Sequence, residues 1–138
     1  MTTITIPVGT QPFLKTSERP ISRVAGEAIA VLDPIYLKSS DGKYYVADSS
    51  PTDAETSVVV GIAISKAETD SYVHYVSTTG TVIDAGLSLT AGDNLWLDGS
   101  TITNAYADIT AADILCKLAY VNEDADLVLN IINQGEAK

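Results

Sequence analysis

The sequence predicts an all-β domain, a compact β-sandwich or small barrel of two pseudo-repeated halves with an extended N-terminal arm. Short runs rich in β-branched and aromatic residues recur every ~8–12 residues, between turn dipeptides such as Asp41-Gly42 and Asp98-Gly99. Residues 26–53 resemble residues 86–113, 60 positions later. Hydrophobic residues make up 46% of the 138-residue chain, enough for one domain with a real core.

The internal repeat consists of strand and turn residues, and no candidate catalytic residue recurs in it. A second block follows at an offset of 55, in which Val73 matches Val128 and Gly80 matches Gly135. The matched positions of the first block are Gly26 with Gly86, Ile29 with Leu89, Asp33 with Asp93, residues 35–37 with 95–97, residues 47–48 with 107–108, Ser50 with Thr110, and Asp53 with Asp113. The pattern is typical of a duplicated structural unit.

Residues 1–23 are predicted to be the arm, and residues 24–138 the β-rich body. The arm contains three prolines, which cannot donate a backbone hydrogen bond, so it can form neither a long helix nor an inner strand. A short edge strand at residues 3–6 is compatible with it. We expect the arm to contribute to partner binding and little to the fold.

The body is predicted to be a succession of short strands. Single helical turns are expected at Ser50–Asp53 and from Thr110, where a capping residue is followed by an acid. The expected strands are 27–32, 35–37, 43–46, 56–65, 71–77, 81–83, 87–91, 95–97, 101–103, 114–121 and 127–132. Strands 71–77 and 81–83 are expected to form a hairpin across Thr78–Gly80.

Charge is distributed unevenly along the chain. The arm has Lys15, Arg19 and Arg23 against Glu18, whereas the body has 5 lysines and 17 acidic residues. Such an acidic body argues against nucleic acid as a partner, because phosphate binding needs cationic surface. A basic segment on an acidic body favours docking of the arm on a partner. The alternative is that the four charged residues of the arm are placed by chance.

The sequence offers no transmembrane run and no secretion signal, so a membrane partner is not expected. Cys116 lies in an apolar strand and is predicted to be a buried small hydrophobe rather than a reactive thiol.

Site chemistry has few candidates. His74 lies in a strand pattern without a sequence motif for a nucleophile, which favours a strand-face or interface histidine over a general base. Glu123, Asp124 and Asp126 could hold Ca²⁺, but most aspartates occupy turn positions, and we expect neither a metal nor a cofactor.

Four aromatic residues could instead line a sugar site. They are Tyr36, Tyr44, Tyr45 and Trp96. Tyr36 and Trp96 are equivalent in the repeat, which favours a structural role for both.

Several segments together resemble the capsid cement, or head decoration, proteins of tailed bacteriophages. The resemblance spans about residues 23–135, with a Gly-containing segment before each aromatic-Leu strand and a Val-Gly-Ile-Ala strand between them. The segments that carry it are residues 23–37, 41–47, 60–63 and 91–97.

The resemblance implies a non-enzymatic structural protein that clamps neighbouring major capsid subunits, often as a homotrimer. It implies a place on the outer surface of the virion, after synthesis in the host cytoplasm. Capsid contacts are then expected in the arm, at Ile4, Ile6, Lys15, Arg19 and Arg23. The alternatives are a virion- or cell-surface binding module, such as a fiber or carbohydrate-binding domain, and a small hydrolase or metal-dependent enzyme.

Overall fold

The computed structural model describes residues 4–7, 9–50 and 54–138. It is all-β, and the described residues form eleven strands and one turn of 3-10 helix at Tyr106–Asp108. The strands are β1 (Phe13–Leu14), β2 (Ile21–Val24), β3 (Pro34–Lys38), β4 (Lys43–Val46), β5 (Gly61–Ala63), β6 (Tyr72–Val76), β7 (Val82–Asp84), β8 (Asn94–Asp98), β9 (Thr101–Thr103), β10 (Ile114–Val121) and β11 (Leu127–Ala137).

The strands form two antiparallel sheets with the same connectivity. The first sheet has the order β2-β6-β5-β3-β4, and the second has the order β7-β11-β10-β8-β9 with β1 added beside β7. Each set of five strands, β2–β6 and β7–β11, can be numbered one to five in chain order. In both sets, strand one then pairs with five, five with four, four with two, and two with three. The predicted all-β fold of two similar halves is therefore confirmed. We call residues 21–76 the first half and residues 82–137 the second half.

Strand register shows which residues are equivalent between the halves. Ile62 of β5 pairs with Val76, and Tyr120 of β10 pairs with Val128. Val76 is therefore the structural counterpart of Val128, and the match of Val73 with Val128 at an offset of 55 is wrong by three residues. The β3–β5 pairs are Pro34 with Ile62 and Ile35 with Gly61, and the β8–β10 pairs are Asn94 with Tyr120 and Leu95 with Ala119.

The turn before the second strand of each half repeats a left-handed residue. Leu32 has φ 68° and Gly92 has φ 90°, and each donates its backbone N–H across the sheet, at 2.7 Å to Ala63 O and 2.8 Å to Val121 O. A left-handed conformation costs a leucine about 1–2 kcal/mol. Burial of the Leu32 side chain in the core offsets this cost.

Two separate cores stabilise the molecule. The larger core lies between the sheets, where buried side chains such as Tyr36 and Ile62 of the first half meet Leu95, Leu97 and Leu129 of the second. The smaller core lies on the other face of the first sheet and contains Ala25, Ile29, Ile35, Ala63, Ala67, Val73 and Tyr75.

The first sheet curls around the smaller core. Ala25, directly after β2, forms a parallel bridge with Tyr44 of β4, and the Gly26 N–H donates to Tyr44 O at 2.8 Å. A Cβ on Gly26 would lie 2.1 Å from the Tyr45 ring, so only glycine fits this closure without a shift of that ring. The two edges of the first sheet are thereby joined.

Two polar side chains connect the halves, one of them buried. Ser49, fully buried after β4, accepts from Gly99 N at 2.7 Å through its hydroxyl and donates to Asp113 Oδ2 at 2.9 Å. Asn133 of β11 bonds both backbone groups of Val59, each at 2.9 Å. These contacts satisfy backbone groups that no strand partner satisfies, as burial requires.

Several expected elements differ from the structure. Residues 27–32 form only an isolated bridge, Ile29 with Ala67, and the long strand expected at 56–65 is limited to β5. The expected strand at 87–91 is irregular, although Leu87 and Leu89 pack on the larger core. The apolar residues of these segments pack on a core without pairing as strands. The residue pattern alone does not distinguish a packed loop from a paired strand.

The expected hairpin between strands 71–77 and 81–83 does not form. β6 lies in the first sheet and β7 in the second, so this turn is the crossing between the halves. The hairpins around Asp41-Gly42 and Asp98-Gly99 form as predicted, and a turn at Thr110 closes with a bond from Asp113 N to Thr110 O. The helical turn expected at Ser50–Asp53 lies largely outside the described residues.

The N-terminal segment is extended, as predicted, but it is part of both sheets. β1 pairs with β7 at one edge of the second sheet, and Ile4 N donates to Ile102 O of β9 at the other, at 2.7 Å. β2 forms the edge of the first sheet. The expectation that residues 1–23 contribute little to the fold is therefore corrected, because the strand pairing of these residues could not be read from their proline-rich sequence.

Candidate interaction surface

The apolar candidates of the arm face inward. Ile4 and Ile6 are half-buried and pack against the core between the sheets, together with Leu14. Their side chains bury apolar surface within the chain, so most of that surface is not open to a partner. The structure thus separates these two residues from the three basic candidates.

Lys15 is engaged in an ion pair. Its ammonium lies 2.7 Å from Asp126 Oδ2, and the Asp126 side chain is almost fully buried. The hydrogen bond to Asp126 raises the pKa of Lys15 above its ordinary value. Since Asp126 lies just before β11, this pair fastens the arm to the second sheet, and removal of Lys15 would leave a buried carboxylate without its cation.

Arg19 and Arg23 are two further exposed basic residues of the arm. Arg23 lies in β2, and its guanidinium donates to Ser22 O at 2.8 Å. Arg19 precedes β2 and is separated from it by Pro20, which fixes the chain direction into the strand. The two arginines therefore lie before the start and near the end of the edge strand β2, on a chain of net charge −10.

The face of β2 opposite Arg23 carries polar and aromatic groups. Ser22 pairs with His74 of β6, and the serine hydroxyl lies 2.6 Å from His74 Nδ1. Val24 pairs with Tyr72, whose side chain is two-thirds exposed. His74 could be identified as a candidate from the sequence, but Ser22 and Tyr72 could not, because their proximity depends on the pairing of β2 with β6. The alternation of residues 71–77 indicated that Tyr72 and His74 share a strand, but nothing in the sequence indicated that Ser22 lies beside them.

A serine–histidine contact is one part of a hydrolytic site. Nucleophilic catalysis also needs a third group that orients the base and preorganised donors for the oxyanion. Ser22 and His74 are both exposed on neighbouring strands, so water competes for each of them. We interpret the pair as a contact that fixes the edge strand.

The carboxylates considered for Ca²⁺ do not converge. Asp126 is paired with Lys15, whereas Glu123 and Asp124 lie exposed in the turn before it. Within the described ranges, no three side chains of His, Cys, Asp or Glu form a group that could hold a metal ion. The Asn122 side chain shapes this turn, because its Oδ1 accepts from Asp124 N and Asp126 N, each at 3.0 Å.

The aromatic candidates for a sugar site are packed against other rings. Tyr36 is buried between the sheets with its ring centroid 5.9 Å from that of Tyr45, and Tyr44 lies 5.5 Å from Tyr75. A hydrogen bond to Asp41 raises the pKa of Tyr45 to about 12. Such ring pairs stabilise the fold by about 0.5–1.5 kcal/mol beyond their area burial.

Trp96 occupies the position equivalent to Tyr36, but its side chain points away from the core between the sheets, whereas that of Tyr36 points into it. Its ring packs edge-on against Tyr106 at 5.4 Å, on the outer face of the second sheet. Lys138 fixes the segment that carries Tyr106, because its ammonium donates to Tyr106 O at 2.9 Å and to Ile109 O at 2.6 Å. The two equivalent aromatics therefore do not form one site.

Cys116 is fully buried in the larger core. Burial raises the pKa of its thiol to about 12, so the reactive thiolate is scarce at neutral pH. The cysteine behaves as the small hydrophobe that its sequence context predicts.

A shallow apolar cleft lies where the arm passes over the first half. It has a volume of about 480 Å³ and is lined by Ile6, Pro7, Ile29, Val31 and Ala67, among others. Asp33 lies at its edge, with a pKa raised by burial. The opening is bounded by two segments of the same chain, which is typical of an imperfect contact between them.

Comparisons with protein families, with characterised proteins and with solved structures find no match for this chain. Within the described residues, no helix is long and apolar enough to span a bilayer. The surface at β2 therefore has to be interpreted from its own chemistry.

Proposed function

We propose that this chain is a structural capsid cement, or decoration, protein. It binds the outer surface of an assembled phage head and stabilises that shell by clamping neighbouring major capsid subunits. It functions without a cofactor or catalytic activity, as a homotrimer on the virion surface, after synthesis in the host cytoplasm. The proposal rests on the resemblance of residues 23–135 to that family, together with the chemistry of the β2 edge.

The observation that carries the proposal is an edge strand with exposed arginines on an acidic body. β2 is the terminal strand of the first sheet, but its end is joined to β4 through Ala25 and Tyr44, so a partner strand can add only beside the start of β2. Arg19 and Arg23 flank this edge and can pair with carboxylates of the partner. A protein that binds only the assembled shell stabilises it by mass action, which suits a rigid fold with two cores.

Cosedimentation tests the proposal. The chain should sediment with expanded, undecorated capsids assembled from the major capsid protein of the same genome. Arg19→Glu/Arg23→Glu should weaken this binding by about tenfold at low salt and less at high salt, because exposed charges are screened within ~8 Å at physiological ionic strength. Lys38→Glu/Lys66→Glu is the matched control, with the same change in charge elsewhere on the first half.

The result that would overturn the proposal is equally clear. A wild-type chain that stays in the supernatant with every form of the capsid is not a cement protein. If the control weakens binding as much as the arginine variant, charge is involved but the β2 edge is not. Melting temperatures measured by circular dichroism show whether either variant has lost its fold.

The alternative of a carbohydrate-binding module has less support. Tyr44, Tyr45 and Trp96 are each in contact with another ring, and sugar binding usually needs an open aromatic face. A glycan-array signal abolished by Tyr72→Ala, the more exposed tyrosine near β2, would favour this alternative.

A further inference from the structure

Arg23 occupies a core-facing position of β2. It pairs with Val73 of β6, which is fully buried in the smaller core, and directly opposed residues of a ladder lie on the same face of a sheet. Ala25, two residues further on, belongs to the same core. Arg23 is nevertheless exposed, so its guanidinium reaches solvent from the core-facing side of the strand. A charge at such a position marks a partner or a function.

Two tyrosine rings lie on this face of the first sheet. Tyr75 follows Val73 by two residues on β6, and closure of the sheet brings Tyr44 of β4 beside Ala25. The ring centroids of the two tyrosines are 5.5 Å apart. Tyr75 is almost fully buried and Tyr44 is half-buried, so Tyr44 is the member of the pair that reaches the surface.

The direction of the bond between the tyrosines leaves one hydroxyl hydrogen for a ligand. Burial, followed by the hydrogen bond with Tyr44, raises the pKa of Tyr75 to about 12, so Tyr75 keeps its proton and donates it to the Tyr44 oxygen. The charge of Arg23 acts to lower this pKa, as expected of a cation close to the phenol. Among the described residues, the Tyr44 hydroxyl has no acceptor for its own hydrogen.

Arg23 has no carboxylate partner within the described ranges. Its guanidinium donates to Ser22 O, and the two ion pairs that the structure describes involve Lys15 and Lys43. The chain has 18 acidic residues against 8 basic ones, so a shortage of acids does not explain the unpaired arginine. A guanidinium has several N–H donors, and the bond to Ser22 O leaves the others for a ligand.

The donors at this place fit a carboxylate. The guanidinium fork presents two parallel N–H groups to two carboxylate oxygens, and such charge-assisted bonds are among the stronger hydrogen bonds of proteins. The Tyr44 hydroxyl adds a donor beside the fork. The site has one positive charge, which one carboxylate neutralises. A phosphate group carries about two negative charges at neutral pH and would add to the net charge of −10.

We propose that Arg23 and Tyr44 together bind a carboxylate of the capsid partner, with Tyr75 as the positioning residue for the Tyr44 hydroxyl. This inference rests on the proposed function, in which Arg23 contacts the capsid. It adds a second contact residue and the chemical class of the group that is bound.

Cosedimentation of the full chain with undecorated capsids tests the two donors. Tyr44→Phe removes only a hydroxyl and should weaken binding about tenfold, the effect of losing one hydrogen bond to a charged group. Arg23→Lys keeps the charge but loses the fork and should weaken binding by a similar factor. Tyr72→Phe is the matched control, because it removes an exposed hydroxyl on the opposite face and should leave binding unchanged. Arg19→Lys, the same basic exchange outside this cluster, should weaken binding less than Arg23→Lys.

Acetate gives a second measurement that needs no capsid. In an NMR titration of the isotope-labelled chain, sodium acetate should shift the Arg23 Nε–H signal saturably, and sodium chloride at the same ionic strength should not. The Arg19 signal is the internal control. Tyr44→Phe should require several-fold more acetate, and Tyr75→Phe should require less than Tyr44→Phe does, because Tyr44 keeps its hydroxyl. Circular dichroism melts check the fold of each variant, and Arg23→Lys tests the site with both tyrosines intact.

The possible outcomes separate this inference from the proposed function. Tyr44→Phe chains that bind acetate and capsids like the wild type would overturn the inference, and the proposed function would stand. Equal losses in Tyr44→Phe and Tyr72→Phe would also overturn it. A larger shift with phosphate than with acetate would overturn the carboxylate assignment. A wild type that binds acetate at Arg23 but no form of the capsid would overturn the proposed function and leave the carboxylate site in place.

Discussion

The two halves of the molecule share one strand order but bury their faces differently. The first half curls until Ala25 reaches Tyr44, and it encloses a small core of its own. In the second half, the equivalent face packs against the outside of the first half, with Ile4, Ile6 and Leu14 of the arm along its border. The same topology thus gives one closed sheet and one sheet that depends on its neighbour.

Close packing at one glycine accompanies this difference. Gly61 of β5 has the Tyr75 ring and Val76 O so near that a Cβ would lie 2.4 Å from the ring and 2.8 Å from the oxygen. The equivalent residue of the second half is Ala119, which is buried without such a restriction on its Cβ. A sheet can curl tightly where a residue has no side chain, and only the first half has a glycine at this position.

Deletion of residues 1–23 should have the largest effect on the fold, because both halves lose a strand. It removes three of the four residues of β2, whose pairing with β6 completes the first half, and it also removes β1. We expect the deleted chain to be unfolded at 25 °C, because a domain with a typical stability of about 5–15 kcal/mol does not tolerate the loss of two paired strands. Circular dichroism and amide exchange measure it.

A shorter deletion is the control. Removal of residues 1–10 leaves β1 and β2 in place and should lower stability while preserving a cooperative transition. If the longer deletion melts within a few degrees of the full chain, the arm is not part of the sheets in solution.

The repeated leucines Leu37 and Leu97 allow a direct comparison of the two halves. Leu97 is fully buried in the larger core, whereas Leu37 is 42% exposed. We expect Leu97→Ala to lower the free energy of unfolding by about 2–5 kcal/mol through lost burial and a cavity. Leu37→Ala should cost less than about 1 kcal/mol. Equal losses in urea denaturation would mean that the two positions are buried alike.

The glycine of the closed sheet gives a smaller expected effect. Gly61→Ala should destabilise the chain by about 1–3 kcal/mol, because Tyr75 or the β6 backbone must shift. The reciprocal change, Ala119→Gly, should cost about 1 kcal/mol or more, through chain entropy and the loss of a buried methyl group. A Gly61→Ala variant as stable as the wild type would show that the first sheet is not tightly curled at this position.

The smallest effect concerns Asp98, at the hairpin of the second half. Burial and the nearby carboxylates of Asp113 and Asp108 raise the pKa of Asp98 above its ordinary value. The folded state therefore binds this proton more tightly, and the corresponding stability is full at low pH and is lost as the pH rises through the folded pKa. At neutral pH the ionised Asp98 is unfavourable.

Asp98→Asn should therefore raise the melting temperature slightly at pH 7. The gain should disappear as the pH falls to about 4 and below, where the wild-type carboxyl becomes protonated. Glu123→Gln, at an exposed turn position, is the control for the change in net charge. A gain that is the same at both pH values would contradict the assigned cause.

The candidate surface could be predicted from the sequence only in part. Arg19 and Arg23 are exposed and stay candidates, because charged residues in a segment of low hydrophobic periodicity are rarely buried. Ile4, Ile6 and Lys15 were assigned to the same surface, but their side chains contact the core and Asp126. A partner that is distant in sequence, such as Asp126, leaves no trace in the local pattern around Lys15.

The sequence by itself determined the all-β class, the duplication and the hairpins at Asp41-Gly42 and Asp98-Gly99, because turn residues and alternating apolar positions act locally. Only the tertiary structure decided that β6 and β7 belong to different sheets, that the first sheet closes and that the N-terminal segment joins both sheets. It also decided that Tyr36 is buried while its counterpart Trp96 faces outward. The physical reason is that each half presents two apolar faces, and which one is covered depends on what the rest of the chain packs against it.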